Sequence, residues 1–90
     1  MMKFEWDENK RLANIEKHKF DLINGVCFFD GRPIYSYPSP RGEEKLTVTI
    51  GLLSGEFVAV VWTERETGIR LISLRRARDV EKRKYRKIYG

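Results

Sequence analysis

The stretch 45-KLTVTIGLLSGEFVAVVWTERETGIRLISLR-75 contains the clearest pattern in this chain of 90 residues. Residues 46–52 alternate between apolar and other side chains, as in a strand with one apolar face. Residues 56–64 are apolar at nearly every position, which predicts a strand buried on both faces. Ser54-Gly55 predicts a two-residue hairpin turn, and "RETG" predicts a turn before a third strand, "IRLISLR". The stretch therefore predicts three strands in an antiparallel meander.

The segment that follows the meander carries the positive charge of the chain. Residues 69–90 contain nine Lys and Arg against two acids, whereas residues 1–68 contain nine against eleven. A helix is predicted from about Arg76 to Ile88, with the basic side chains opposite an apolar side of Ala77, Val80, Tyr85 and Ile88. Such a face favours a polyanionic partner, either RNA, DNA or an acidic protein. The charged residues of any solvated surface helix are also found on one side, so this pattern does not distinguish a face that binds a polyanion from an ordinary solvated face.

The segment that precedes the meander predicts mainly helices. "KFEW", residues 3–6, is interpreted as an edge strand with Phe4 and Trp6 on one side. A helix follows, with Asp7 as its N-cap and Leu12 and Ile15 on one stripe. Residues 20–29 are interpreted as a second helical segment, and residues 30–44 as a loop that encloses a short strand at Ile34–Tyr37. The fold class is thus α+β, a single domain over residues 1–90. It has an antiparallel sheet flanked by two N-terminal helices and a C-terminal basic helix.

Composition excludes several classes of protein. Cys27 is the only cysteine and cannot form an internal disulfide, and its apolar neighbours predict a buried thiol. No Cys/His cluster has metal-ligand spacing, so no metal and no cofactor are expected. The longest apolar run, Phe57 to Trp62, is far shorter than the ~20 residues that span a bilayer. The acidic start of the chain is unlike a signal peptide, and the expected location is the cytoplasm.

Several side chains are candidates for chemistry on phosphates. Arg70 and Arg75 bracket the third strand and Arg65 lies in the turn before it, and guanidinium groups match phosphate geometry. His18 can move protons near neutral pH, although a histidine at a helix C-terminus is also favoured by the helix dipole alone. Tyr85 suits either base stacking or packing, whereas Trp62 is expected in the core.

Two segments, "EWDENK" (residues 5–10) and "IRLISLRRA" (residues 69–77), resemble the BrnT family of bacterial toxins. The likeness extends in order over nearly the whole chain through "KH", "TER" and the closing tyrosine. It implies a RelE-like fold and a ribonuclease toxin that is neutralised by a BrnA antitoxin. The ribbon-helix-helix part of that antitoxin would bind operator DNA, which the toxin reaches only through its partner. A dimeric antitoxin implies two toxins and two antitoxins in each complex.

The resemblance also implies roles for individual residues. Catalytic positions would be Lys17, His18, Arg65, Arg70 and Arg75, acting without metal on the 2′-hydroxyl and its adjacent phosphorus. Flanking RNA would be held by Arg76, Arg83, Tyr85 and Arg86. The chain departs from the family at Lys19, where glycine is common, and at "DGRP" (residues 30–33), where Asp-Pro is common. The alternative function is a binding module of the same fold that does not cleave. A regulator that binds DNA by itself is less favoured, since no helix-turn-helix pattern precedes the basic helix.

Overall fold

A computed structural model describes residues 3–40 and 45–90 of the chain, so the predicted loop at 41–44 and the first two residues of the predicted domain lie outside the described residues. The described part is an α+β fold with one five-stranded sheet in the order β1-β5-β4-β3-β2. The elements are β1 (Phe4–Glu5), α1 (Glu8–His18), a 3₁₀ helix (Leu22–Phe29), β2 (Tyr35–Pro38), β3 (Thr47–Leu53), β4 (Glu56–Arg65), β5 (Gly68–Arg76) and α2 (Asp79–Tyr89).

The predicted meander is confirmed, because β3, β4 and β5 pair antiparallel in chain order. Ser54 and Gly55 both have positive φ angles, 51° and 82°, which is the geometry of a tight hairpin turn that matches the twist of its strands. Val58, Ala59 and Val60 in β4 are fully buried, as expected for a strand covered on both faces.

The sheet is mixed, and the prediction of a wholly antiparallel sheet was wrong at one edge. β1 runs parallel to β5, with Phe4 opposite Ile69. The Phe4 ring packs on Phe29 with ring centroids 5.3 Å apart, and the Lys3 carbonyl accepts a hydrogen bond of 2.8 Å from the Ile69 amide. Contacts with residues far along the chain therefore set the direction of this two-residue strand.

The helices differ in part from their predicted form. α1 begins after Asp7, whose carboxylate accepts from the Lys10 amide, so that cap is confirmed. The second helical segment is a 3₁₀ helix, and it lies very close to the sheet. A Cβ atom on Gly25 would approach Val60 Cγ2 to 2.7 Å, so this contact requires glycine. α2 begins at Asp79 rather than near Arg76, because Arg76 still pairs with Val58 as part of β5.

Polar side chains occupy the inner faces of both α-helices. Several of the predicted apolar positions are exposed, at 55% for Leu12 in α1 and 58% for Ile88 in α2. Ile15 and Val80 are also exposed, whereas Asn14 and Glu81 are buried. The prediction is confirmed at Ala77 and Tyr85, which are buried in the core of the α2 face. It was wrong at the exposed positions, because hydrogen bonds of Asn14 and Glu81 contribute to the contacts of the two helices with the sheet.

Apolar clusters cover both faces of the sheet. The first face, packed by the 3₁₀ helix, contains Leu22, Phe28, Val60 and Leu74, with Trp62 against them as predicted. The second face, called the α2 face below, contains Ile50, Ala59 and Tyr85, with Val61 and Tyr37 at its margin. Cys27 is a free thiol that is only half-buried. Within the described ranges, no helix is long and apolar enough to cross a membrane.

Candidate functional site

A bulge in β5 brings Arg70 and Arg75 to the same face of the sheet. Strict alternation would place residues five apart on opposite faces. However, Leu71 pairs with Trp62 and Ser73 pairs with Val61, so Ile72 is an extra residue in β5. Arg70 is thereby opposite Thr63 and Arg75 opposite Ala59, and these β4 residues share one face. Since Ala59 belongs to the α2 cluster, both arginines lie on the α2 face, about 13 Å apart along the strand.

Arg75 is held by a buried carboxylate on α2. Its Nη1 and Nη2 atoms donate to the two carboxylate oxygens of Glu81, at 2.9 Å and 3.0 Å. The side chains are 17% and 3% exposed. The Tyr37 hydroxyl donates to the same carboxylate, and so does the Arg78 amide at 2.7 Å. Burial acts to raise the pKa of Glu81, but the hydrogen bonds from Arg75, the Arg78 amide and Tyr37 outweigh it and lower the pKa to about 2.

Arg75 also borders an open cavity of about 350 Å³ on the α2 face. Val48 and Val61 line the cavity, together with Tyr37 and Arg78. Both hydrogens of Arg75 Nη1 are used, one by Glu81 and one by the Arg76 carbonyl at 3.1 Å. Within residues 3–40 and 45–90 the Nε–H makes no hydrogen bond, and the Tyr37 hydroxyl also lies close to the guanidinium group.

Arg70 is held much more loosely than Arg75. Its Nη1 atom lies 3.9 Å from Glu5 Oε1, and the two side chains are 27% and 29% exposed. This separation is longer than a hydrogen bond, and ion pairs this exposed contribute little. A phosphate can therefore replace Glu5 at Arg70 at small cost.

His18 lies at the end of α1, beside the same stretch of β5. It borders a shallow depression of about 210 Å³ with Lys17, Asn14 and Ser73. Asn14 fixes α1 to the outer edge of β5, where it accepts from the Leu74 amide at 3.1 Å and donates to the Leu74 carbonyl at 2.9 Å. Burial lowers the pKa of His18 below its ordinary value of 6.5, and the charges of Lys17 and Arg75 lower it further. The imidazole is therefore neutral at neutral pH and able to accept a proton.

Comparison with known protein families gives a match that covers most of the chain. The family model described as the ribonuclease toxin BrnT of type II toxin-antitoxin systems matches residues 6–81. The chain belongs to the BrnT family. A ribonuclease toxin of a type II system has RNA as its substrate and an antitoxin as its partner. A search of curated proteins found no match.

The BrnT fold does not bring all of the predicted site residues together. Arg65 lies at the exposed end of β4 and, by alternation from Thr63, on the α2 face. Arg76 lies on the opposite face, where its guanidinium carbon is 5.5 Å from the centre of the Phe20 ring and its Nη1 atom 3.4 Å from Glu56. Its contact with RNA stays a prediction, and this location does not favour it.

The predicted RNA-binding residues of α2 divide into one buried and two exposed side chains. Tyr85 is 8% exposed and packs on Phe57 with ring centroids 5.2 Å apart, which favours packing over base stacking. Arg83 and Arg86 are exposed, and the Arg86 guanidinium carbon lies 5.0 Å from the centre of the Phe57 ring. Their roles, like those of the catalytic candidates, stay predictions.

This BrnT chain has Lys19 where glycine is common in the family, and the turn after His18 forms nevertheless. Lys19 is the C-cap of α1 with a left-handed φ of 65°, and its amide donates to the Ile15 carbonyl at 2.9 Å. Glycine adopts this conformation without strain, which gives a physical reason for the glycine common in the family. A lysine there costs about 1 kcal/mol.

Sequence reasoning missed Glu81 and Tyr37, the two residues that hold Arg75. Glu81 is one of only two acids in the basic C-terminal segment, and an acid in the first turn of a helix is usually assigned to capping. That signal indicated a polar surface residue, not a buried partner of an arginine. For metals, the described ranges contain no group of three His, Cys, Asp or Glu side chains that could hold an ion.

Proposed function

We propose that this chain is an endoribonuclease toxin that cleaves RNA without a metal ion. The observation that carries this proposal is the placement of Arg70 and Arg75 on one partly open face of the sheet, with His18 in a separate depression beside β5 where the charge of Arg75 still lowers its pKa. Guanidinium groups supply fixed positive charge for the phosphate, and a neutral imidazole supplies a base. These are the requirements of cleavage by the RNA's own 2′-hydroxyl.

The proposed reaction is a transfer within the RNA chain. His18 takes the proton of the 2′-hydroxyl, and the 2′-oxygen attacks the adjacent phosphorus. The bond from phosphorus to the 5′-oxygen of the next nucleotide breaks, which leaves a 2′,3′-cyclic phosphate. Lys17 donates a proton to the departing 5′-oxygen. Arg75 stabilises the negative charge that grows on the non-bridging oxygens, because its guanidinium group is already held in place by Glu81 before the reaction.

The proposed path of the RNA follows from the positions of the other basic residues. Arg70 and Arg65 lie farther along the α2 face from Arg75 and would hold phosphates on one side of the scissile bond. Arg83 and Arg86 on α2 would hold RNA on the other side. Contacts of this kind set affinity and register without reading the sequence of the RNA.

We also propose that the antitoxin is of the BrnA type and carries a ribbon-helix-helix part. Its dimer would join two toxins to two antitoxins and would make the contacts with operator DNA. α2 has five Lys and Arg residues against two acids, which suits an acidic antitoxin segment. A RelE-like organisation of the fold and a cytoplasmic location are further parts of the proposal.

Replacement of Arg70 tests the proposed path of the RNA. Arg70→Ala is expected to lower kcat/KM for RNA cleavage by about tenfold, mainly through a higher KM, because it removes a contact with a phosphate beside the scissile bond. The assay uses purified protein, RNA and a chelator, so that contaminating metal-dependent nucleases are inactive. The matched control is Lys82→Ala, which removes the same charge and a similarly long ion pair, 3.8 Å to Asp79. Full activity of a folded Arg70→Ala protein would remove Arg70 from the site.

The alternative function, a non-cleaving binding module, has one observation in its favour. The Glu81 carboxylate neutralises the charge of Arg75, which weakens the attraction of that arginine for a phosphate. The same assay decides between the two functions. RNA that is bound but stays intact in the presence and absence of the chelator would support the binding module.

A further inference from the structure

The Arg75–Glu81 pair is difficult to explain by stability alone. Removing charges from water is costly, and a buried ion pair is often no more stabilising than apolar side chains of similar volume. Here the carboxylate is 3% exposed, and apolar residues such as Val48 and Val61 lie around it on the same face. A buried pair retained in such surroundings points to a task beyond folding.

Three separate elements converge on the Glu81 carboxylate. It accepts both Nη groups of Arg75 from β5, the hydroxyl of Tyr37 from β2 and the amide of Arg78 at the start of α2. No buried side-chain nitrogen or oxygen atom in the described ranges lacks a hydrogen-bond partner, so this network is complete. A long arginine side chain loses its rotational freedom when both Nη atoms are anchored in this way.

Arg75 remains accessible from the cavity although it is anchored. Its two Nη atoms contact Glu81, while the side chain also borders the 350 Å³ cavity on the α2 face. A phosphate in that cavity would meet a guanidinium that needs no further ordering. Positioning of this kind accelerates a reaction by reducing reorganisation, even where it adds no affinity.

We infer that Glu81 and Tyr37 are positioning residues, which hold the Arg75 guanidinium where the scissile phosphate of RNA is cleaved. Because this inference rests on the proposed function, it assumes cleavage at Arg75. Glu81 opposes phosphate binding by its own negative charge and supports catalysis by fixing Arg75. Loosening the network should therefore lower kcat while KM stays nearly constant, a separation that a purely structural role would not produce.

The test uses Tyr37→Phe, which removes one hydrogen bond and leaves the ion pair and the start of α2 intact. We expect kcat for RNA cleavage to fall by about tenfold and KM to change by less than about twofold. The control is Tyr35→Phe on the same strand, because the two rings stack at 5.9 Å and the Tyr35 hydroxyl has no hydrogen bond within the described ranges. Unfolding temperatures of both variants confirm that the fold is retained at the assay temperature.

A double-mutant comparison separates positioning from an independent effect of Tyr37. In an Arg75→Lys background the forked contact with Glu81 is lost, so Tyr37→Phe should cause no further fall in kcat. Equal falls in kcat in both backgrounds, or an unchanged kcat in Tyr37→Phe, would overturn the positioning role while leaving the proposed ribonuclease intact. Absence of RNA cleavage by the wild-type protein would overturn both.

Discussion

Replacement of Glu81 by glutamine tests how much the fold depends on this buried carboxylate. The pKa of Glu81 is lowered from 4.5 to about 2. At about 1.4 kcal/mol for each pH unit, this difference corresponds to about 3 kcal/mol of stability. A domain of 90 residues has a free energy of unfolding of about 5–13 kcal/mol, so loss of this one charge would remove a large share of it, although apolar side chains in place of the whole pair can be equally stabilising.

The sign of the pH dependence follows from the direction of the shift. A carboxylate whose pKa is lowered by folding stabilises the protein fully above about pH 4.5, and this stabilisation is lost as the pH falls towards about 2. Between about pH 6 and about pH 3, the wild-type protein should lose about 2 kcal/mol through Glu81 alone. Glu81→Gln has no carboxylate to protonate, so this part of the loss should disappear.

At neutral pH the same variant should be less stable than the wild type by about 3 kcal/mol, because Arg75 stays largely buried without its counter-charge. Urea unfolding followed by tryptophan fluorescence, at about pH 6 and about pH 3, measures both effects. Glu56→Gln is the matched control, since Glu56 pairs with Arg76 at 3.4 Å while the side chains are 46% and 70% exposed. Glu56→Gln should lower the free energy of unfolding by less than about 0.5 kcal/mol, and its stability should depend on pH as that of the wild type does.

The outcome that refutes the reasoning is a Glu81→Gln protein that loses as much stability between the two pH values as the wild type does. Glu81 would then not be the group whose protonation destabilises the fold. If Glu81→Gln is unfolded even near neutral pH, Tyr37→Phe provides a milder test, because it keeps the carboxylate and removes one of its hydrogen bonds. This variant should lose about 1 kcal/mol of stability near pH 6 and somewhat less than the wild type on acidification.

Two further predictions concern α1. Asn14→Ala should lower the free energy of unfolding by about 2–3 kcal/mol, because the buried Leu74 amide and carbonyl lose their partners. The exposed Asn24→Ala serves as the control in the same urea experiment, and equal effects of the two changes would contradict the prediction. For catalysis, the pKa of His18 lies below 6.5, so kcat/KM should fall only on acidification below that value, as the imidazole becomes protonated. His18→Gln should lower kcat/KM by about 10²-fold and remove this acid limb, and an acid limb that persists in the variant would exclude His18 as the base.

The meander could be predicted from the sequence because its signals are local. Ser54-Gly55 permits the positive φ angles of the turn, and continuous apolar residues indicate a strand covered on both faces. Asp7 as the N-cap of α1 is equally local, since a carboxylate needs only the amide three residues later. In each case the interacting groups are neighbours in the chain.

The inner faces of the helices could not be predicted in this way. A prediction from the periodicity of apolar residues takes the apolar side of a helix as the buried side. Here, however, Asn14 and Glu81 are buried while Leu12 and Ile88 are exposed. The partners of Asn14 are backbone groups of Leu74, 60 residues away, and Tyr37 lies 44 residues from Glu81. Nothing near either residue in the sequence identifies these partners.

The sequence by itself determined the meander, the N-cap of α1, the basic C-terminal segment and the family. These depend on residue type and on spacing over a few positions. Only the tertiary structure decided that β1 pairs parallel with β5, that Ile72 forms a bulge, and that Arg70 and Arg75 consequently share a face. It also decided that Arg75 meets Glu81. The physical reason is that strand register and buried polar contacts are set by the mutual fit of distant segments, which no local pattern records.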